Sequence, residues 1–422
     1  MYGIKTQGAR FAMSVRKKEN LLIFLCWFAY TASYLGRYSY NANINLILSD
    51  FGVTHGGAGL VTTMFFFAYG IGQIVNGILC RFYPKRQVIT GALAVSAGIN
   101  LAVFAGAPFG AIKFLWLANG AALSVLWSSL VLTLSEHIGK DNLGRAIVVM
   151  NTTVAVGNFS AYGLAGIFSS AGNYKLSFLT AAGIMAVAGM LWFFVYPTVS
   201  DGISFVPEAK EKSSGTGRKA DAWLLTVVIL LAVFAVADNL IKDGLHTWIP
   251  SVLSETFAFE DSNSIFLTMA LNLFAVLGTF VVTLIHKKIE NFVVLSTLLY
   301  AVVAVFLAVI VLTLQSSFLA VLGSFAIVIV STHAINAVIT SMAPMYLREK
   351  CNPGLLSGIL NGCCYVGSTI SSYGLGTIAD GSGWSRVFIL LWTVSAVITA
   401  IGIAYSVARK LRNRRKRLSE SR

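Results

Sequence analysis

FAYTASYLGRYSYNANIN (residues 28–45) and FAVADNLIKDGLHTWIP (residues 234–250) each place a cation deep inside a long apolar run. Arg37 stands in the first such run of the chain, residues 20–48, and Lys242 in the seventh, residues 222–253. An ionised side chain in a hydrocarbon layer costs roughly 2.5–3.5 kcal/mol even on the lenient insertion scale. Such residues face a water-filled cavity and hold something of opposite charge. The two cations lie 205 residues apart, at matching places in the two halves of the chain. The pair predicts a central anion site between those halves.

The rest of the 422 residues fits a membrane setting, with 56% hydrophobic and only 11% charged residues. Crossing a hydrocarbon core takes about 20 apolar residues as a helix. Twelve runs qualify: 20–48, 57–80, 87–107, 111–136, 144–170, 175–196, 222–253, 262–285, 291–314, 317–346, 354–379 and 385–408. Backbone polar groups in lipid must be satisfied internally, so the runs read as helices. The expected fold is an all-α membrane protein of twelve transmembrane helices in two six-helix bundles. Residues 1–200 form the first bundle, 201–221 a linker rich in Gly, Ser and charge, and 222–422 the second bundle with a basic tail. The first run is too long for a cleavable signal and reads as a retained span.

The net charge of +14 is distributed as topology, not as a nucleic-acid footprint. Twenty-six of the 31 Lys and Arg fall in the terminal segments, the central linker and the loops on the same side. Lys113, Lys175 and Arg386 fall on the other. The positive-inside rule then predicts both termini in the cytoplasm of a cell whose inner membrane the chain crosses. The tail RKLRNRRKR reads as an anchor on anionic lipid, and no nucleic-acid partner is expected. Cys26, Cys80, Cys351, Cys363 and Cys364 show neither a disulfide framework nor metal-ligand spacing. No Walker-type phosphate loop and no H-E-x-x-H are present, so the reading is not an enzyme, takes no cofactor and is a monomer.

An internal repeat supports the two-bundle reading. A shift of 205 residues carries Arg37 onto Lys242, Leu48-Ser49-Asp50 onto Leu253-Ser254-Glu255 and Thr63-Met64 onto Thr268-Met269. A shift of 210 carries Gly144 onto Gly354, Asn151 onto Asn361 and Val156-Gly157 onto Val366-Gly367. Parallel repeats of this kind place a site near the midplane between them. Gly70, Gly72 and Gly77, with Gly354, Gly358, Gly362 and Gly367, read as small faces for close helix packing.

Steps of three and four put Tyr30, Tyr34, Arg37, Tyr38 and Asn41 on one polar stripe of the first helix. Arginine offers a planar fork of donors suited to phosphate or carboxylate oxygens. The alternative is an internal tie from Arg37 to a carboxylate on another span. In the seventh helix, Asp238 and Lys242 are four apart, in the acid-then-base order that best forms a helical ion pair. Asp243 follows at once, and Gly244 and Pro250 predict a loosened helix beyond it. Either acid could partner the cation in the empty site or carry a proton. Tyr69, Gln73, Trp127, Asn151, His333, Asn361 and Tyr365 are further polar candidates within spans. For His333, Asn151 and Asn361 a packing role explains the residue equally well.

The chain resembles the major facilitator superfamily, and within it the organophosphate:phosphate antiporters, which include bacterial glycerol-3-phosphate and hexose-phosphate transporters. The resemblance rests on Tyr30, Tyr34, Leu35 and Arg37, on Ala68-Tyr69-Gly70 with Gly77, and on Gly244, Trp248 and Pro250. It implies that Arg37 is a phosphate-binding arginine and that Lys242 replaces a second one. It also puts Trp127, Asn151 and Tyr365 near the cavity. Gln73 stands where the family can carry a lysine, Val154 where some members place a histidine, and Arg81 where a loop motif has its aspartate. Three functional readings follow. The first is secondary transport of a small phosphorylated or carboxylated organic anion, with inorganic phosphate or a proton as counter-ion. The second is proton-coupled symport of a different metabolite through Asp238 or Asp243. The third is a transporter-like membrane sensor.

Overall fold

The computed structural model describes residues 14–201, 222–347 and 353–420, all helical or in short turns, with no strand among them. In chain order the helices are α1 (Val15–Ala42), α2 (Ile44–Phe51), α3 (His55–Leu79), α4 (Lys85–Phe104), α5 (Phe109–His137), α6 (Lys140–Ser170) and α7 (Leu176–Ser200). The second set is α8 (Ala222–Phe257), α9 (Asp261–His286), α10 (Phe292–Thr313), α11 (Phe318–Ala337), α12 (Ala343–Tyr346) and α13 (Pro353–Glu420). Ten stretches of the described residues are long and apolar enough to cross a membrane. The long stretch in α13 holds two crossings, broken at Gly383, whose φ of 75° few side chains tolerate. With α1, whose polar stripe lowers its hydropathy, twelve helices result. The chain is a multi-pass membrane protein. Linker residues 202–221, Lys5, Arg10, Arg348, Lys350 and Cys351 lie outside the described residues.

Helices α1–α7 pack among themselves, as do α8–α13. The two groups meet mainly along α3 against α13 and α6 against α9. Glycines set the spacing of these crossings, because in lipid close backbone approach is what packing has to offer. A Cβ on Gly59 would stand 2.3 Å from the Ser372 carbonyl oxygen, and one on Gly70 would stand 2.6 Å from the Tyr365 Cβ. Within the second group, a Cβ on Gly367 would stand 2.0 Å from the Val236 carbonyl oxygen. Gly77 and Gly358 face open space, so the packing role expected of them does not apply.

Three prolines lie within helical runs, and each freed carbonyl has a donor from elsewhere. A proline gives no N–H to the carbonyl four residues back. For Pro197 that carbonyl is Phe193, which accepts the Arg86 Nε–H at 2.8 Å. For Pro344 it is Thr340, which accepts the Ser357 hydroxyl at 3.2 Å beside a π-helical turn at Val338–Met342. For Pro250 it is His246, which accepts the Tyr162 hydroxyl at 2.7 Å from the other helix group. The loosening expected after Gly244 therefore does not occur: α8 runs unbroken from Ala222 to Phe257.

Polar ties between the groups concentrate at the end away from the chain termini. His55, which opens α3, sits between two carboxylates of the second group. Its Nε2 lies 2.6 Å from Glu255 and its Nδ1 2.7 Å from Asp380. Asp380 also accepts the backbone N–H of His55 and Gly56 at 2.9 and 2.8 Å, capping α3 across the seam. Trp384 donates to the other Glu255 oxygen at 2.9 Å. Asn45 donates to Asp261 at 3.0 Å. Among the described residues, no side-chain hydrogen bond or ion pair joins the groups at the end that bears the termini. Among the described residues, the polar ties between the groups thus gather at the end away from the termini.

Candidate functional site

Arg37 is positioned by its neighbour. Gly36 has no side chain, and a Cβ there would lie 2.4 Å from the Met185 sulfur. Its carbonyl accepts the amides of Asn100 and Asn119, each at 3.1 Å. Ser96 in turn donates to Asn119 at 2.6 Å. This buried lattice presses α1 against α4, α5 and α7 and aims the next side chain at the seam.

The Arg37 guanidinium ends in a cage of five rings. Its carbon lies 5.7, 4.9, 5.2, 5.0 and 5.3 Å from the ring centres of Tyr34, Tyr38, Phe65, Phe66 and Tyr69. Ring faces attract a cation without neutralising it. No carboxylate lies within 4 Å among the described residues, and its buried Nε has no hydrogen-bond acceptor. The internal tie to an acid that the sequence left open does not form. Further rings extend the cage: Tyr30 packs on Trp127 at 4.9 Å and Tyr69 on Tyr365 at 5.0 Å. Phe65 and Phe66 escaped the sequence reading because they resemble lipid-facing apolar residues. Their only signal is a position one turn before Tyr69.

Lys242 is treated in the opposite way. Its Nζ lies 3.7 Å from Asp243, not within ion-pair distance of Asp238. The pair expected at four-residue spacing is thus replaced by one between adjacent residues. Ser368 on α13 explains the choice, because its hydroxyl donates a short hydrogen bond to the other Asp243 oxygen and holds the carboxylate in place. Asp238 is fully buried on α8, beside the Asn336 amide of α11. Tyr38 lies within electrostatic reach of Arg37, Lys242 and Asp243, and Asp243 within reach of both cations. The mirrored cations of the two groups therefore lie within electrostatic reach of one carboxylate, Asp243.

The other candidates divide. His333 meets His246 ring to ring at 5.4 Å and uses Nδ1 on the Ile329 carbonyl at 2.9 Å. Asn41 has a partner at each amide atom: it donates to Thr247 at 3.2 Å and accepts from Thr62 at 3.0 Å, so it ties the groups together. Gln73 is buried one turn beyond Tyr69 on α3. Among the described residues, no hydrogen bond or ring contact brings Asn151 or Asn361 to the cage; Asn151 is exposed on α6. No group of acidic, His or Cys side chains among the described residues could hold a metal ion.

Comparison with known proteins agrees with this architecture. A glucose-6-phosphate exchanger of Xenopus laevis is 28% identical over 155 residues, 35% of this chain and 31% of that protein. The chain thus aligns with about a third of the length of that relative. Sugar phosphate exchanger 3 of Mus musculus is 22% identical over 386 residues, 78% of this chain and 76% of that protein. Among solved structures, a bacterial homolog of the human lysosomal transporter Spinster, inward-facing and occupied, superposes with a TM-score of 0.74. It is 13% identical, over 92% of this chain and 96% of that one. The nucleoside transporter NupG superposes with a TM-score of 0.67 at 12% identity, over 93% and 99%. These likenesses show the shared fold. The family pattern described as Major Facilitator Superfamily matches residues 26–350, and the chain belongs to that superfamily.

Proposed function

We propose that this protein moves a small organic anion across the cytoplasmic membrane by alternating access. The substrate class is a sugar phosphate, glycerol phosphate or related phosphorylated or carboxylated metabolite, exchanged against inorganic phosphate. The observation that carries this reading is the Arg37 guanidinium, caged by rings and with no carboxylate within 4 Å among the described residues. Its donors are available to oxygens of a ligand, and Lys242 offers a second charge from the opposite group. The sugar phosphate exchangers it resembles carry names that point to the same chemistry. The protein acts in this role as a monomeric carrier.

In this reading residues 1–200 and 222–422 rock about the site, joined by the linker 201–221. A ligand bridging Arg37 and Lys242 favours the state in which the groups are close, because it binds that state better. With both termini in the cytoplasm, the tied end faces outward. Opening it requires release of His55 from Glu255 and Asp380, of Asn45 from Asp261, and of Tyr162 from His246. The test is exchange by the purified protein in liposomes loaded with phosphate. External glucose 6-phosphate or glycerol 3-phosphate should release internal phosphate. Equal release from protein-free liposomes would end the proposal.

A further inference from the structure

We propose that the substrate is a zwitterion, with an anionic head received by Arg37 and a protonated amine received by Asp243. This rests on the anion reading above and narrows its substrate class to aminoalkyl phosphates and phosphonates. Arg37 and Lys242 supply two positive charges, and the Asp243 carboxylate lies within electrostatic reach of both. Asp238, beside the Asn336 amide, is a second acid within reach of Lys242. An acid placed among the cations repels a bare dianion and attracts a ligand that brings a positive charge of its own.

Asp243 is placed as a contact for such a ligand, unlike the acids that tie helices together. Glu19 caps α6, accepting the Gly139 N–H at 2.9 Å on one oxygen and the Asn142 amide at 2.6 Å on the other. Asp380 likewise uses both oxygens on the start of α3. Asp243 gives one oxygen to the Ser368 hydroxyl of α13. Its other oxygen, Oδ1, meets Lys242 at 3.7 Å, longer than the roughly 2.7–2.9 Å of a charge-assisted hydrogen bond. Ser368 thus fixes the carboxylate, and Oδ1 is the oxygen that a second cation can take.

The surroundings supply the rest of the chemistry an amine needs. Tyr38 of α1 and Tyr365 of α13 both lie within electrostatic reach of Asp243, from the two sides of the seam. Ring faces beside a carboxylate receive an alkylammonium group, whose charge the rings attract and the acid balances. Arg37, with no carboxylate within 4 Å among the described residues, is the end suited to phosphoryl or phosphonyl oxygens. A ligand lying between the two points its anion at the first helix group and its amine at the second.

The test is a matched pair of ligands on the purified full-length protein at about pH 7.5, read by isothermal titration. O-phosphoethanolamine and ethyl phosphate share one phosphate dianion, since phosphoryl groups lose their second proton near about pH 6. They differ by an amine that stays protonated, as aliphatic amines do up to about pH 10. Charge alone favours ethyl phosphate, which has the larger net negative charge. The wild type should instead bind O-phosphoethanolamine about tenfold more tightly. Asp243→Asn should reverse that order, weakening O-phosphoethanolamine and strengthening ethyl phosphate. Ser368→Ala, which keeps the charge but releases the carboxylate, should narrow the gap without reversing it. Wild-type binding of ethyl phosphate as tight as that of O-phosphoethanolamine overturns the proposal, and this comparison needs no variant to fold. A preference for the amine that survives in Asp243→Asn also overturns it. Glycerol 3-phosphate separates the two readings. If it binds while the amine brings no gain, the anion reading stands and the zwitterion falls; if no phosphate compound binds, the anion reading itself fails.

Discussion

Arg37 and Lys242 occupy equivalent places in the two helix groups, yet their surroundings are opposite. Arg37 is wrapped in five aromatic rings, with no carboxylate within 4 Å among the described residues. Lys242 has one acid adjacent and a second four residues back. The first environment keeps a cation desolvated and unspent. The second keeps a cation balanced by a charge that a ligand must displace. In the proposed site this difference would divide labour: Arg37 would supply the standing attraction, and Lys242 a charge that Asp243 already balances.

That division can be sharpened by removing the internal competitor. Asp243→Asn should raise affinity for inorganic phosphate by about tenfold, because a charge-assisted interaction is worth roughly 1.5–3 kcal/mol. Isothermal titration would read it directly, and weaker binding would show that Asp243 supports the ligand instead of imitating it. A smaller effect is expected at the tied end. His55→Gln removes an imidazolium that satisfies two carboxylates, but these groups are partly exposed and screened, so each contact is worth at most about 1 kcal/mol. Labelling of a cysteine placed in the Arg37 cage from the outer side should quicken by a few fold. An unchanged rate would mean that the apolar seam of α3 and α13 alone holds that end closed. The smallest effect is expected from Tyr162→Phe, which leaves the His246 carbonyl without its donor. A lost neutral hydrogen bond costs about 1 kcal/mol, or about 1 °C in melting temperature for a chain of this size. No shift would show that the proline-freed carbonyl finds another donor.

Much of this was readable before any coordinates. The apolar runs mark the helices to within a few residues, because the hydrocarbon core dictates length and helices alone satisfy the backbone in it. The two cations were visible because charge is costly there. What the sequence hid was partnership. Spacing on an isolated helix favours Asp238 for Lys242, and only Ser368, arriving from α13, reveals that Asp243 takes that place. Asn41 shares the stripe of Arg37, but Thr62 and Thr247 turn it into a tie between groups. Pro250 announced a freed carbonyl four residues earlier, while nothing local pointed to Tyr162 as the donor. Phe65 and Phe66 carry no polar atom, so their use as a cage for a cation was invisible in one dimension.

The most direct test of the account is affinity for inorganic phosphate in the wild type, Arg37→Lys and Arg37→Ala, each checked for normal folding by its melting curve. The lysine variant keeps the charge but loses the fork, and should fall between the other two. Arg37→Ala should lose at least about 100-fold, the equivalent of two charge-assisted hydrogen bonds. Binding by a well-folded Arg37→Ala within about threefold of the wild type would contradict the claim that this caged, acid-free guanidinium holds the anion.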